Sequence, residues 1–157
     1  MVTTPATEAL DAVGAKYEFL EAPGAISGED YANAIGADKA SRLYKTLVMQ
    51  GEVTGSIYVF IVPALAKLAQ RKAAKALGEH ALSMLKPIEL MKETGYKHGG
   101  CSPLGMKNQF RTIFDSSVND HETVLINGGG GGYLVDISME ELGKAIPYEI
   151  MDLQKQA

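Results

Sequence analysis

The chain has 157 residues, of which 46% are hydrophobic and 22% are charged, a balance that excludes a disordered or fibrous protein. The length suits a single domain spanning residues 1–157, whose core needs no disulfide or metal ion for stability. The net charge of −4 excludes a protein that holds nucleic acid by a general excess of positive charge, so any such contact must be local or assisted by a partner.

Cysteine usage and hydropathy indicate the compartment. Cys101 is the only cysteine, which fits a reducing environment. The first residues have neither the basic segment nor the apolar run of a secretory signal. The longest apolar stretch, Ile57 to Leu68, contains Pro63 and Lys67 and is too short to span a bilayer. We therefore expect a soluble cytoplasmic protein without membrane association.

Helix-capping signals appear near the start of the chain. Thr4 followed by Pro5 predicts the beginning of a helix. Ser27 and Asp30 have the spacing of a capping box and predict a second helix, which runs through Ile35. Further helices are predicted to start at residues 87 and 139. Strands are expected at 17–20, 43–50, 56–62, 111–114, 123–127, 133–137 and 148–151. This mixed order is typical of an α+β domain with a curled, largely antiparallel sheet.

The strands at 43–50 and 56–62 are the clearest, and the short polar segment between them predicts a hairpin. Strand alternation places Lys45 on one face with Leu43 and Leu47, so Lys45 is a single charge in an apolar row. One interpretation is an edge-strand lysine that extends to water. The other is a cation at the rim of an apolar pocket, which would hold a phosphate or a polarised ester.

Alanine and leucine predict the longest helix of the chain, from Pro63 to Leu77. The residues expected on its buried face are Leu65, Leu68, Ala69, Ala73, Ala76 and Leu77. Lys67, Arg71 and Lys75 recur every four residues on the opposite side. Such a stripe is most often a solvated face, and it is also the best candidate in this chain for contact with RNA phosphates.

The segment Gly99-Gly100-Cys101-Ser102-Pro103 is too rich in glycine and proline to form regular structure. Adjacent glycines allow backbone N–H groups to approach a ligand together, as an oxyanion hole requires. The same composition also serves a loop that only turns the chain.

Three other patterns carry weaker signals. The run Gly128 to Gly132 lacks the Lys and Ser/Thr of a phosphate loop and precedes a strand, so a hairpin connection is favoured. His98 and Cys101 are three residues apart, but nothing in the sequence orients the histidine for thiol chemistry. The three histidines and the cysteine match no metal-site spacing, so neither a metal ion nor a cofactor is expected.

Several segments resemble the YbaK/EbsC family of free-standing editing domains, which are related to the insertion domain of bacterial prolyl-tRNA synthetase. These segments are Tyr44 to Val48, Lys72 to Gly78, Thr94 to Tyr96 and Gly99 to Gly105. The resemblance implies a mixed α/β fold with a curled, barrel-like sheet flanked by helices. It implies deacylation of mischarged tRNA, typically Cys-tRNA(Pro), with Ala-tRNA(Pro) as the substrate of a sister branch. Prolyl-tRNA synthetase is then the expected partner.

The resemblance also assigns roles to residues. Lys45 matches the lysine that contacts the tRNA 3′ end, and Gly99 to Pro103 match the G-x-x-x-P loop that places the aminoacyl carbonyl. The residues assigned as catalytic are Lys45, Gly99, Gly100, Ser102 and Pro103. The residues assigned to substrate binding are Thr46, His98, Cys101, Gly128 and Gly129. The family uses no protein nucleophile; water or the substrate's own thiol is thought to attack the ester.

This chain departs from the family pattern near the pocket. Cys101 stands where an aliphatic residue is usual, and the run Gly128 to Gly132 replaces a segment that normally holds Lys or Arg. Three hypotheses follow. The chain is an editing hydrolase, a non-catalytic module of the same fold that binds aminoacyl-tRNA or a nucleotide, or a thiol hydrolase that uses Cys101 with His98.

Overall fold

The computed structural model describes residues 2–155 and confirms the α+β class. The strands are β1 (Glu18–Glu21), β2 (Tyr44–Gly51), β3 (Ile57–Pro63), β4 (Leu82–Met84), β5 (Arg111–Asp115), β6 (Val124–Asn127), β7 (Tyr133–Ile137) and β8 (Glu149–Met151). The helices are α1 (Pro5–Ala12), α2 (Gly28–Ile35), α3 (Ala37–Ala40), α4 (Gln70–Ala76), α5 (Pro87–Thr94) and α6 (Met139–Leu142). A 3-10 helix covers Ser116–Asp120. None of the helices in residues 2–155 has the length and apolar character that crossing a membrane requires.

The strands form a three-stranded sheet of order β1-β7-β6 and a five-stranded sheet of order β4-β2-β3-β5-β8. The pairs β3–β5 and β5–β8 are parallel, whereas β1–β7, β6–β7, β2–β3 and β2–β4 are antiparallel. A parallel bridge between Leu43 and Leu125 brings β6 against one edge of β2. The predicted curled, largely antiparallel sheet is therefore confirmed, although it does not close into a barrel.

The central strand β3 is buried on both faces, which explains its uninterrupted apolar sequence. Val59 and Ile61 join the core that lies between the two sheets. Phe60 and Val62 point to the other face and pack in the cluster that α4 covers. β3 thus fixes its neighbour β2, which carries Lys45, firmly in place.

The predicted helix starts at the beginning of the chain are confirmed. The Thr4 hydroxyl accepts a hydrogen bond from the Thr7 amide at 3.1 Å. The Ser27 hydroxyl accepts one from the Asp30 amide at 3.1 Å, and the Asp30 carboxylate accepts one from the Ser27 amide at the same distance. Short side-chain contacts of this kind stabilise a helix N-terminus locally, which is why sequence spacing reveals them.

The helix predicted from Pro63 to Leu77 is wrong in its first half. Pro63 is the last residue of β3, and residues 64–69 are irregular before α4 begins. The Ala69 amide donates to the Leu153 carbonyl at 2.7 Å, so this segment pairs with the C-terminal part of the chain instead of coiling. Tertiary pairing has overridden the local helix propensity of alanine and leucine.

The buried face of that predicted helix changes accordingly. Leu65, expected in the core, is 66% exposed. Ala76 is also exposed, whereas Leu68, Ala73 and Leu77 are buried as expected. The short strand β4, which pairs with the end of β2, was missed because three residues are too few for a clear alternation.

A buried carboxylate holds the hairpin between β2 and β3. Glu79 accepts hydrogen bonds from the amides of Val53 and Thr54, from the Thr54 hydroxyl and from the Tyr58 hydroxyl. The hydrogen bonds from Thr54 and Tyr58 lower the pKa of Glu79 to about 2. Four donors around one carboxylate favour its charged form.

This shift predicts a pH-dependent stability. Because the folded-state pKa of Glu79 lies below its ordinary value, its contribution is complete above about pH 5 and is lost as the pH falls toward 2. In urea unfolding, Glu79→Gln is expected to be less stable than the wild type at pH 7, and the difference should shrink progressively below pH 4.5. A difference that stayed constant from pH 7 to pH 2.5 would contradict this origin.

Candidate active site

A cavity of about 330 Å³ opens beside β2, between the start of α2, the end of β4 with α5, and the segment around Gly99. It brings together five residues that the sequence singled out. Those residues are Lys45, Thr46, His98, Gly99 and Cys101. They come from two regions more than fifty residues apart, so the fold alone creates their proximity.

The other residues assigned to the site do not line this cavity. Ser102 is fully buried, and its hydroxyl accepts a hydrogen bond from the Leu104 amide at 3.1 Å. The Gly128 carbonyl accepts a hydrogen bond from the Thr4 hydroxyl at 2.6 Å. Gly100, Pro103 and Gly129 likewise belong to the packing behind the cavity wall. These residues support the cavity wall from behind and do not contact the cavity.

The basic stripe lies apart from the cavity. Lys67, Arg71 and Lys75 are all exposed, and none of them lines the cavity. Arg71 and Lys75 lie on α4, whereas Lys67 belongs to the irregular segment that precedes it. The stripe therefore lacks the continuous helical spacing that the sequence suggested.

Lys45 is half-buried in the cavity wall, and desolvation lowers its pKa. Within residues 2–155 its ammonium group has no hydrogen-bond acceptor and no ion pair; the pairs found there join Arg42–Asp136, Lys72–Asp152, Arg111–Glu149 and Lys144–Glu141. A partly buried cation without a counter-charge is costly, so such a group marks a place where an anion or a polarised oxygen binds.

The Gly99 segment forms the opposite wall. Gly99 has a φ of +84°, a left-handed conformation that glycine adopts without strain. Within the described chain, no acceptor engages the amide N–H groups of Gly99 and Cys101. Both residues line the cavity, so two amides without an acceptor in the described chain lie beside it, as an oxyanion site requires.

A buried tyrosine fixes this wall. The Tyr31 hydroxyl donates to the Gly99 carbonyl at 2.7 Å and accepts from the Gly132 amide at 2.8 Å. Asn127 contacts the same hydroxyl at 3.3 Å, and its side-chain oxygen accepts from the amides of Gly129 and Gly130. Burial raises the pKa of Tyr31, which keeps the hydroxyl protonated as a donor.

This arrangement gives the glycine run a structural reason. A Cβ atom at Gly100 would lie only 2.5 Å from the amide nitrogen of Gly131. The two glycine-rich segments therefore pack backbone against backbone. The run is a hairpin connection, as predicted, and it also supports the Gly99 wall.

Residues 22–145 match the family described as the aminoacyl-tRNA editing domain. The chain belongs to the aminoacyl-tRNA editing domain family. This editing domain is 35% identical over 127 residues to the proposed Cys-tRNA(Pro)/Cys-tRNA(Cys) deacylase EbsC of Enterococcus faecalis, covering 81% of this chain and 76% of EbsC. It is 31% identical over 117 residues to the uncharacterised protein YwhH of Bacillus subtilis, covering 74% and 72% of the two chains.

A solved structure gives the same picture. The crystal structure of a proposed trans-editing enzyme for prolyl-tRNA synthetase superposes on the editing domain with a TM-score of 0.85. The two are 25% identical, and the match covers 99% of this chain and 100% of that one. The resemblance inferred from the sequence is thus confirmed at the level of the family and the fold.

Tyr31 and Asn127 also line the cavity, and the sequence did not reveal them. Tyr31 lies 68 residues from the Gly99 carbonyl that it binds, and 101 residues from Gly132. No periodicity links such positions. The only signal in the sequence was a tyrosine within a short predicted helix, and such a tyrosine is more often a core residue.

Cys101 is not a suitable nucleophile in this site. Its side chain is buried, and desolvation raises the pKa of the thiol to about 12. At neutral pH the group is therefore a thiol, whereas the nucleophile is the thiolate. His98 is exposed, and no hydrogen bond joins it to Cys101 within residues 2–155.

We therefore expect Cys101→Ser to keep its aminoacyl-ester hydrolysis rate within about threefold of the wild type, since only packing changes. Steady-state deacylation measures the rate, and alkylation by iodoacetamide at pH 8 should be far slower than for a small exposed thiol. A loss of several orders of magnitude would restore the thiol-hydrolase hypothesis.

Proposed function

We propose that this editing domain is a trans-editing hydrolase that deacylates mischarged tRNA, with Cys-tRNA(Pro) as the first candidate substrate and Ala-tRNA(Pro) as the second. One observation carries the proposal: the unpaired ammonium group of Lys45 and the free amides of the Gly99 wall line the same small cavity. The similarity to EbsC supports cysteinyl-tRNA as the substrate class.

The proposed reaction is ester hydrolysis at the tRNA 3′ end. The oxygen of a water molecule attacks the aminoacyl carbonyl carbon, and the carbonyl oxygen becomes an oxyanion. The bond from that carbon to the ribose oxygen then breaks, the proton that the attacking water loses passes to the ribose oxygen, and free amino acid and uncharged tRNA are released. For a cysteinyl substrate, attack by its own thiol would release a thiolactone instead.

The residues around the cavity suit stabilisation of charge better than proton abstraction. The amides of Gly99 and Cys101 donate to the oxyanion, and Lys45 supplies positive charge beside the 3′ end. No Asp or Glu is among the described residues that line the cavity, so no carboxylate base is at hand. An aminoacyl ester is already reactive, and positioning with oxyanion stabilisation accounts for its breakdown.

The net charge of the chain indicates how it meets its tRNA substrate. The net charge of −4 gives the chain little general attraction for RNA, and the exposed cluster of Lys67, Arg71 and Lys75 offers one local phosphate contact. We propose that the editing domain receives mischarged tRNA together with prolyl-tRNA synthetase in the cytoplasm. No cofactor or metal ion takes part in the proposed reaction.

The test is a deacylation panel. Cysteine-, alanine-, serine- and proline-charged tRNA(Pro) are incubated with the protein, with and without prolyl-tRNA synthetase, and the released products are identified. We expect fast release from the cysteinyl or alanyl ester and stability of the prolyl ester. Tight binding of a charged tRNA whose ester survives long incubation would instead identify the non-catalytic binding module.

A further inference from the structure

The strands that pair with β2 change along its length, and within residues 2–155 no strand bridges Thr46 on the outer edge of β2. The odd-numbered residues of β2 bond to β3, as the hydrogen bonds at the two ends of the pair indicate: the Gly51 amide donates to the Ser56 carbonyl at 2.9 Å, and the carbonyl of Leu43, just before β2, accepts from the Ala64 amide at 2.8 Å. In an antiparallel pair the intervening residues direct their N–H and C=O groups to the opposite edge. The peptide groups of Thr46 are among these.

That opposite edge is covered at both ends. At its beginning, the bridge between Leu43 and Leu125 places β6 against β2. At its other end, the Leu85 amide donates to the Val48 carbonyl at 3.4 Å, directly after β4. Thr46 lies in the gap between these two coverings. Its peptide N–H and C=O therefore point to an edge where no strand of residues 2–155 bridges Thr46, beside the cavity that this residue lines.

The Thr46 side chain adds a second unmatched group. Its hydroxyl oxygen is buried and has no hydrogen-bond partner anywhere in residues 2–155. Leaving a buried hydroxyl unpaired costs stability, and a valine of the same shape would avoid that cost. Unpaired polar groups next to a cavity are typical of a site that a ligand completes.

Several other oxygen acceptors around the cavity are already engaged. Its described lining contains no carboxylate. The Gly99 carbonyl already accepts from Tyr31, and the side-chain oxygen of Asn127 accepts from two glycine amides. The Ser27 hydroxyl accepts from the first turn of α2. Thr46 therefore offers an entering amine the one buried side-chain oxygen that has no hydrogen-bond partner within residues 2–155.

From this geometry we propose that Thr46 is the subsite for the α-amino group of the aminoacyl ester, with its main-chain carbonyl and side-chain hydroxyl as the two acceptors. The inference rests on the proposed function, because the amine comes from the charged amino acid. The neutral amine is the form that fits, because Lys45 already brings a positive charge and no carboxylate offsets a second one. Binding here would hold the ester carbonyl toward the Gly99 wall.

A substrate-by-variant cycle tests this subsite. The wild type and Thr46→Val are compared on two pairs of substrates, and the members of each pair differ only in the α-amine. The first pair is alanyl-tRNA(Pro) and propionyl-tRNA(Pro). The second pair is cysteinyl-tRNA(Pro) and 3-mercaptopropionyl-tRNA(Pro). We expect Thr46→Val to lower kcat/KM about tenfold on the aminoacyl esters, as loss of one hydrogen bond predicts, and less than twofold on the des-amino esters.

Two controls separate binding from folding. Thr46→Ser keeps the hydroxyl and should retain most of the activity on the aminoacyl esters. The thermal unfolding midpoint of Thr46→Val should equal or exceed that of the wild type, because the hydroxyl it removes has no partner in the free protein. A variant that lost both stability and activity would indicate a structural role and overturn the subsite.

The remaining outcomes are also decisive. An equal loss on aminoacyl and des-amino esters, or no loss on either, would overturn the amine subsite while leaving the proposed hydrolase in place. If the wild-type protein hydrolysed neither aminoacyl ester, the proposed function would fail, and the subsite would fail with it.

Discussion

Replacing Lys45 by methionine is expected to lower kcat/KM for aminoacyl-tRNA deacylation by about a hundredfold to a thousandfold, the range found when one group that stabilises developing charge in the transition state is removed. Methionine keeps the unbranched stem that lies against the cavity wall and removes only the charge. Because burial lowers the pKa of Lys45 and no acidic group of residues 2–155 pairs with it, the charged group does not stabilise the fold. The variant should therefore unfold at the same denaturant concentration as the wild type, or a slightly higher one.

The matched control is Lys107→Met, which removes an exposed lysine that does not line the cavity. Its deacylation rate should stay within about twofold of the wild type, as is usual for a surface substitution. Single-turnover deacylation of the best substrate in the panel is the measurement. If Lys45→Met kept more than a tenth of the wild-type kcat/KM, the cation would not belong to the catalytic machinery.

Tyr31→Phe is expected to lower kcat about tenfold to a hundredfold with a smaller change in KM. The substitution removes one oxygen atom that binds the Gly99 carbonyl and the Gly132 amide. Both groups then lose a partner, and the Gly99 wall is free to shift. A displacement of about 1 Å in a positioning element costs on the order of a hundredfold in rate. Tyr31 acts through Gly99 and is thus a positioning residue.

The chain offers a second tyrosine as a control for this variant. The Tyr58 hydroxyl donates to Glu79 at 2.6 Å, and Tyr58 does not line the cavity. Tyr58→Phe should therefore lose stability, by about 1.5–3 kcal/mol as for one hydrogen bond to a charged group, while keeping its kcat. Urea unfolding and kcat measured on both variants separate the two effects. If Tyr31→Phe and Tyr58→Phe lost the same stability and both kept the wild-type kcat, the role of Tyr31 would be only to stabilise the fold.

Features that depend on neighbouring residues were predicted from the sequence. The capping contacts of Thr4 and Ser27 lie within one helical turn, so their spacing along the chain is also their spacing in space. The hairpin of β2 and β3 joins segments separated by a five-residue turn, and its antiparallel pairing is confirmed. The family resemblance likewise depends on short contiguous motifs.

Features that depend on distant residues could not be predicted in this way. The segment 64–69 is irregular because it pairs with the C-terminal residues near Leu153, and no local pattern of alanine and leucine reports that competition. The parallel pairing of β3 with β5 crosses about fifty residues of intervening chain. Propensity is a weak guide wherever such contacts decide the conformation.

The features of the candidate site likewise divide into those that depend on neighbouring residues and those that depend on distant ones. The sequence by itself determined the family, the odd lysine within an apolar strand and the glycine-rich segment after α5, because each is a local signal. Only the tertiary structure decided that Lys45 and Gly99 share one cavity, that Tyr31 holds the Gly99 wall, and that Thr46 lies in a gap between two strands. These are relations between segments far apart in the chain, and a cavity exists only where packing brings such segments together and leaves the space between them unfilled.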